Sequence, residues 1–211
     1  MSNQSQVLKF GATILQNLPD MSEDIMQGWI ENPKALQKVL LGLCPPADGF
    51  VPEFKGFIKT IKLGTGLKTA DDFRKSLKDN GFRIGDYVND ILGKTAFTVA
   101  TEETELDLIV VSVAELGFKD GATHEQIFAR AKKLGLDLCP TEVGPQLRLQ
   151  YKDQPNGERL VVAMEPITAS DGDLMLFGVR RSDSDLWLYN YYDYPSRLWY
   201  ADYRFVFSRR K

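Results

Sequence analysis

The sequence predicts an α+β fold in which helices fill the N-terminal two thirds of the chain and pack on a C-terminal antiparallel sheet of about five strands. Helix-capping residues and helical periodicity recur between residues 22 and 134, whereas alternation of apolar and polar residues begins near residue 146. Beyond that point, turn sequences such as Asn156-Gly157 and Asp171-Gly172 separate short apolar runs, which is typical of consecutive antiparallel strands.

The first 45 residues are predicted to form an N-terminal helical segment of their own (residues 1–45). Ser22 is placed to cap one helix, and Asn32-Pro33 begins a second, because asparagine suits the cap and proline suits the first helical turn. Proline and glycine are frequent in residues 44–53. This stretch is the predicted boundary, so an α+β domain is expected over residues 54–211, with its sheet starting at about residue 146.

Three helices and one strand are predicted before the sheet. Thr69 and Thr123 each stand three residues before a side chain that can complete a capping box, so a helix is expected after each of them. A shorter helix is expected over residues 86–92, which Gly93 follows. The near-continuous apolar run from Leu106 to Val113 predicts a strand that is buried on both faces.

Five strands make up the predicted antiparallel sheet. The first covers residues 146–151, with Gln146, Arg148 and Gln150 on its polar face. The other four are Arg159–Glu165, Asp173–Arg180, Asp185–Tyr191 and Tyr203–Ser208. The buried strand Leu106–Val113 is a candidate sixth member.

Composition and charge exclude several classes of function. The 211 residues include one histidine and two cysteines, too few for a zinc site of the common cysteine and histidine type or for a disulfide framework. A net charge of −3 opposes attraction of the whole surface to nucleic acid, and no apolar stretch reaches the roughly 18 residues that a membrane span requires. We therefore expect no cofactor, no metal site and no membrane partner.

The N-terminal residues and the cysteines predict a cytoplasmic location. Residues 1–18 lack the basic start, continuous apolar run and small-residue cleavage site of a secretory signal. Cys44 and Cys139 are accordingly predicted to be reduced thiols. We expect Cys139 to be a buried small hydrophobe, and His124 to be a surface residue in the first turn of its helix.

Tryptophan and tyrosine are concentrated near the C-terminus. Eight of the eleven lie between positions 187 and 203, namely Trp187, Tyr189, Tyr191, Tyr192, Tyr194, Trp199, Tyr200 and Tyr203. These rings combine a large apolar area with a hydrogen-bonding group, so they anchor interfaces, but they also pack on sheet faces. One interpretation is that they cover the predicted sheet. The other is a surface that binds a protein partner or a small ligand through Tyr192, Tyr194, Arg197, Trp199 and Tyr200.

A small metal-independent enzyme with a carboxylate and arginine cleft is the predicted alternative. Its candidate residues are Glu142, Arg148 and Glu165. Arg148 could clamp an anionic substrate, and Glu165 ends a predicted strand before Pro166, where a carboxylate can face a pocket. A polar face on an antiparallel strand is also simply its solvent side, so both interpretations stay open.

The C-terminal segment is also locally basic, which introduces single-stranded nucleic acid as a third class of ligand. Residues 180–211 contain seven basic side chains and four aspartates. Arginine and aromatic side chains together form the grooves that bind single strands, but the interleaved aspartates would repel phosphate. Nucleic acid is therefore the less favoured partner.

Two stretches of the chain resemble a family of hypothetical bacterial proteins found mostly in genomes of uncultivated bacteria. They are residues 69–94, with Gly81-Phe82-Arg83-Ile84-Gly85-Asp86, and residues 134–153, with Leu134-Gly135-Leu136-Asp137-Leu138-Cys139-Pro140 and Gly144-Pro145-Gln146-Leu147-Arg148-Leu149-Gln150-Tyr151. The resemblance extends from about Met21 onward. It implies a bacterial origin and supplies no activity or site residue. We expect a non-enzymatic cytoplasmic binding protein that uses its aromatic-rich C-terminal surface.

Overall fold

The N-terminal part of the chain contains one fully described helix. A computed structural model describes Gln16, residues 22–35 and residues 56–209. Helix α1 spans Glu23–Glu31, and Ser22 holds the predicted N-cap position, although its side chain makes no capping hydrogen bond. The remainder of the predicted second helix after residue 35, the boundary at 44–53 and Cys44 lie outside the described residues.

The chain divides into two compact units, Met1–Ala47 and Asp48–Lys211. In the second unit, the elements in chain order are β1 (Phe57–Leu63), α2 (Ala70–Asp79), β2 (Arg83–Ile84), α3 (Asp86–Leu92), β3 (Thr104–Ser112), α4 (His124–Lys133), β4 (Leu136–Asp137), α5 (Val143–Gln150), β5 (Arg159–Val162), β6 (Ile167–Thr168), β7 (Leu174–Ser182), β8 (Asp185–Tyr192) and β9 (Arg204–Arg209). None of the helices within the described residues combines the length and the apolar character needed to cross a membrane.

The nine described strands form one mixed sheet that curves into a half-barrel. Seven follow the order β1-β3-β9-β5-β7-β8-β2, while β4 pairs with β9 and β6 pairs with β7. The predicted fold class is therefore wrong in two respects. The sheet is mixed, because β5 pairs with β9 and β2 with β8 in parallel. It also begins at Phe57, so helices do not occupy the first two thirds of the chain.

Strand β9 explains why a simple meander does not form. Its residues Phe205, Val206 and Phe207 are all fully buried, so both faces of this last strand need cover. The strand inserts between β3 and β5, where it is antiparallel to the first and parallel to the second. A strand that is apolar on both faces is stable only in the interior of a sheet, and this requirement overrides the order of the strands along the chain.

The segment predicted as the first strand of the sheet is instead helix α5. Gln146 donates from Nε2 to Glu142 Oε1 at 2.9 Å, and Gln150 donates from Nε2 to Gln146 Oε1 at 2.9 Å. Residues four apart are neighbours on a helix face but not along a strand. Val143 and Leu147 are fully buried on this helix. The stretch that predicted a strand is so short that its apolar residues fit both the two-residue period of a strand and the 3.6-residue period of a helix.

Most of the helices and strands that were predicted from short sequence patterns are confirmed. Thr69 and Thr123 each form a complete capping box, with Asp72 and with Gln126, at the start of α2 and α4. The buried strand predicted over Leu106–Val113 is β3, and the last four predicted strands correspond to β5, β7, β8 and β9. Cys139 is a buried free thiol, as expected. Burial raises its pKa.

Candidate functional site

The connection between β8 and β9 carries a patch of exposed apolar side chains. We call residues 193–203 the aromatic loop. The exposed fractions are 39% for Tyr192 at the end of β8, 54% for Tyr194, 51% for Leu198 and 63% for Tyr200. We call these four residues the tyrosine patch, and no other large hydrophobic side chain that the structure describes between residues 58 and 209 is exposed.

Trp199 lies beneath this patch and not in it. Its side chain is fully buried, and its ring lies 5.1 Å from Tyr203 and 5.0 Å from Phe205, measured between centroids. The backbone of Trp199 pairs with Ala122 in two hydrogen bonds, of 2.9 and 3.1 Å, just before α4. Trp199, one of the predicted binding residues, therefore attaches the aromatic loop to the core.

Arg197 also holds the loop from within. Its guanidinium lies over the Trp199 ring at 4.1 Å from the centroid, and its Nη1 donates to the backbone carbonyl of Tyr192. The side chain thus connects the beginning of the loop to its middle. A stacked arginine that also donates a hydrogen bond loses mobility, so Arg197 restricts the conformations of the residues around it.

A histidine and aspartate pair attaches the same loop to α4. Asp193 is buried, and His124 Nδ1 lies 3.0 Å from its Oδ2 and 3.1 Å from its Oδ1. Burial raises the pKa of Asp193, while His124, Trp199 and Arg197 act in the opposite direction. The sequence places His124 on the surface, yet only 15% of its side chain is exposed. The two residues are 69 positions apart, so no local pattern signals the pair.

Glu142 and Arg148, two of the predicted enzyme residues, are both fully buried on or beside α5. The carboxylate of Glu142 accepts hydrogen bonds from the backbone N–H groups of Gly64 and Ala100, both at 2.8 Å. Arg148 donates to Gln154 Oε1 at 2.6 Å and to the carbonyl of Tyr151. Burial lowers the pKa of Arg148 to about 10. Glu142 thus connects three separate parts of the chain, whereas Arg148 fixes the residues that immediately follow α5.

Glu165, the third predicted enzyme residue, lies apart from the other two. It lines a cleft of about 630 Å³ beside α4, together with His124, Lys132 and Phe207. Neither Glu142 nor Arg148 lines this cleft. The structure therefore does not bring the three predicted residues together. Within the described residues, moreover, no three His, Cys, Asp or Glu side chains form a group that could hold a metal ion.

Comparison with protein-family models, with curated proteins and with solved structures finds no match for this chain. The resemblance to hypothetical bacterial proteins stays a prediction.

Proposed function

We propose that this chain is a non-enzymatic cytoplasmic binding protein that recognises a protein partner through the tyrosine patch. The observation that supports this proposal is the concentration of four exposed residues, Tyr192 at the end of β8 and Tyr194, Leu198 and Tyr200 on the aromatic loop, each between 39% and 63% exposed. Tyrosine is enriched at the centres of protein interfaces, because its ring offers a large contact area with few rotatable bonds and a polar hydroxyl.

The base of the patch also favours recognition. Trp199, Arg197 and the His124–Asp193 pair each attach the aromatic loop to the folded core. A loop that is already ordered loses less conformational entropy when a partner binds.

The test places a photo-cross-linking phenylalanine analogue at Leu198 and identifies the protein captured in cells. The purified partner is then titrated against the wild type and against a double variant, Tyr194→Ser with Tyr200→Ser, which leaves Trp199 in place. We expect the double variant to bind at least tenfold more weakly, because each truncated interface residue of this kind contributes about 1 kcal/mol or more.

The matched control is Ser196→Ala with Asp202→Ala, two exposed positions on the same loop without apolar side chains. Its affinity should stay within twofold of the wild type, and circular dichroism should show that all variants are folded. Equal binding by the double tyrosine variant, or the absence of any protein cross-linked through position 198, would contradict the proposal.

A further inference from the structure

Two arginines lie side by side on the sheet. Arg159 of β5 and Arg180 of β7 are direct partners in the antiparallel register, and Arg180 in turn faces Trp187 of β8. Like charges directly opposite one another on neighbouring strands destabilise a sheet. The pairing therefore needs a compensating interaction.

The carboxylates that the structure describes form no ion pair with either arginine. Glu158, the nearest acidic residue in sequence, pairs with Arg204 at 2.8 Å. Asp185 lies 3.6 Å from Arg83 and so has a basic partner of its own. The other acidic residue nearby is Asp183, in the turn between β7 and β8.

Aromatic rings hold the Arg180 guanidinium in place. Its Cζ lies 3.9 Å from the centroid of Tyr189 and 5.0 Å from that of Trp187. The Nε of Arg180 is buried without a hydrogen-bond partner. Stacking thus fixes the orientation of a charged fork, and none of its N–H groups donates to an acceptor of the described residues. Its positive charge is therefore left without a compensating anion.

Arg159, Arg180 and Trp187 line a cavity of about 480 Å³. Its wall also contains Asn156, Ser182 and Ser184, the carboxylates of Asp183 and Asp185, and Arg181, whose Nη1 donates to the carbonyl of Gln154. The wall thus has three guanidinium groups against two carboxylates, with hydroxyl and amide donors beside them. A tetrahedral oxyanion has four oxygens that accept from several directions, so this donor set suits phosphate.

We propose that Arg159 and Arg180, at the cavity formed by β5, β7 and the β7–β8 turn, bind the phosphate group of a ligand. This site is separate from the tyrosine patch, and either can exist without the other. The phosphate could belong to a free nucleotide or to a single strand of nucleic acid, because both present the same oxygens to the arginines.

The experiment measures binding to the full chain by isothermal titration calorimetry at low salt. The probes are inorganic phosphate, adenosine monophosphate and a twelve-residue oligothymidylate. We expect saturable binding that weakens with added salt, and an affinity at least tenfold lower in Arg159→Ala, because a charge-assisted contact is removed. Arg159 is exposed, so its truncation should leave the fold intact.

Arg209→Ala is the matched control, since it removes the same charge from an exposed position at the end of β9. Its affinity should lie within twofold of the wild type. Arg180→Lys keeps the charge but loses the planar stacked fork, and we expect it to bind at least fivefold more weakly. If the wild type binds the oligonucleotide more tightly than adenosine monophosphate, and if Arg159→Ala loses that binding, the result supports the site. It also assigns the phosphate to a single strand of nucleic acid. Absence of saturable binding by the wild type, or equal losses in Arg159→Ala and Arg209→Ala, would overturn the proposal.

Discussion

The guanidinium of Arg197 lies over the indole ring of Trp199, with 4.1 Å between Cζ and the ring centroid. Trp199 is fully buried, whereas its neighbours Leu198 and Tyr200 are 51% and 63% exposed. One short loop therefore contains both a core residue and a surface patch. Substitutions at adjacent positions should consequently separate stability from binding.

Trp199→Ala is expected to destabilise the protein by about 3–5 kcal/mol, because it removes a large buried ring and leaves a cavity. Tyr200→Ala, one residue later, should change the free energy of unfolding by about 0.5 kcal/mol or less, since its ring is mostly exposed. Urea denaturation followed by circular dichroism measures both. Similar losses for the two variants would contradict the assignment of Trp199 to the core.

Glu142→Gln should destabilise the fold by about 1–3 kcal/mol. The carboxylate accepts from Gly64 N, Ala100 N and Gln146 Nε2, and an amide replaces one of its two acceptor oxygens with a donor. The matched substitution Glu165→Gln, at an exposed position of the cleft, should cost about 0.5 kcal/mol or less. The urea denaturation midpoints of the two variants measure the difference. If Glu142→Gln left the free energy of unfolding unchanged, these hydrogen bonds would contribute little to stability.

Asp193→Asn should change how stability depends on pH. Burial raises the pKa of Asp193, so the folded protein retains a proton on this carboxyl at a pH where the unfolded chain has lost it. The ionised carboxyl therefore disfavours folding increasingly as the pH rises from the ordinary value of 3.8 through the raised value. The free energy of unfolding of the wild type, relative to Asp193→Asn, should fall across that window and then level off.

The titratable and basic side chains that act on Asp193 are those of His124 and Arg197. Because His124 lowers the pKa of Asp193, repeating the comparison in a His124→Gln background should extend the fall to higher pH. Urea titrations at a series of pH values give both results. A difference that stays constant with pH, or that grows as the pH rises, would be inconsistent with a raised pKa at Asp193.

Gly144→Ala tests the contact between α5 and β7. A Cβ at position 144 would lie 2.6 Å from ring atoms of Phe177, far inside normal contact, so the helix and strand must separate. We expect a cost of about 1–3 kcal/mol. Gly93→Ala is the control: its Cβ would meet the flexible end of Arg74 at 3.3 Å, and the cost should be about 0.5 kcal/mol or less. Thermal unfolding measures the stability of both variants. Equal stabilities would exclude a tight contact between α5 and β7 at Gly144.

The elements that could be predicted from the sequence are those whose cause is local. The capping boxes at Thr69 and Thr123 need only a side chain three residues away, and both helices begin where expected. Leu106–Val113 has enough consecutive apolar residues to indicate a buried strand wherever it pairs. Helix α5 could not be predicted in this way, because residues 146–150 alternate like a strand. Only the hydrogen bonds from Gln146 to Glu142 and from Gln150 to Gln146 show the helical spacing.

The sequence by itself determined the capping boxes at Thr69 and Thr123, the strands β3, β5, β7, β8 and β9, and where the aromatic residues would concentrate. Only the tertiary structure decided that β9 lies between β3 and β5, that Trp199 is buried while Tyr200 is exposed, and that Arg159 lies opposite Arg180. The physical reason is the distance along the chain over which each interaction acts. Capping and periodicity depend on neighbours within a few residues, whereas strand pairing and burial depend on contacts between residues that are distant in the chain.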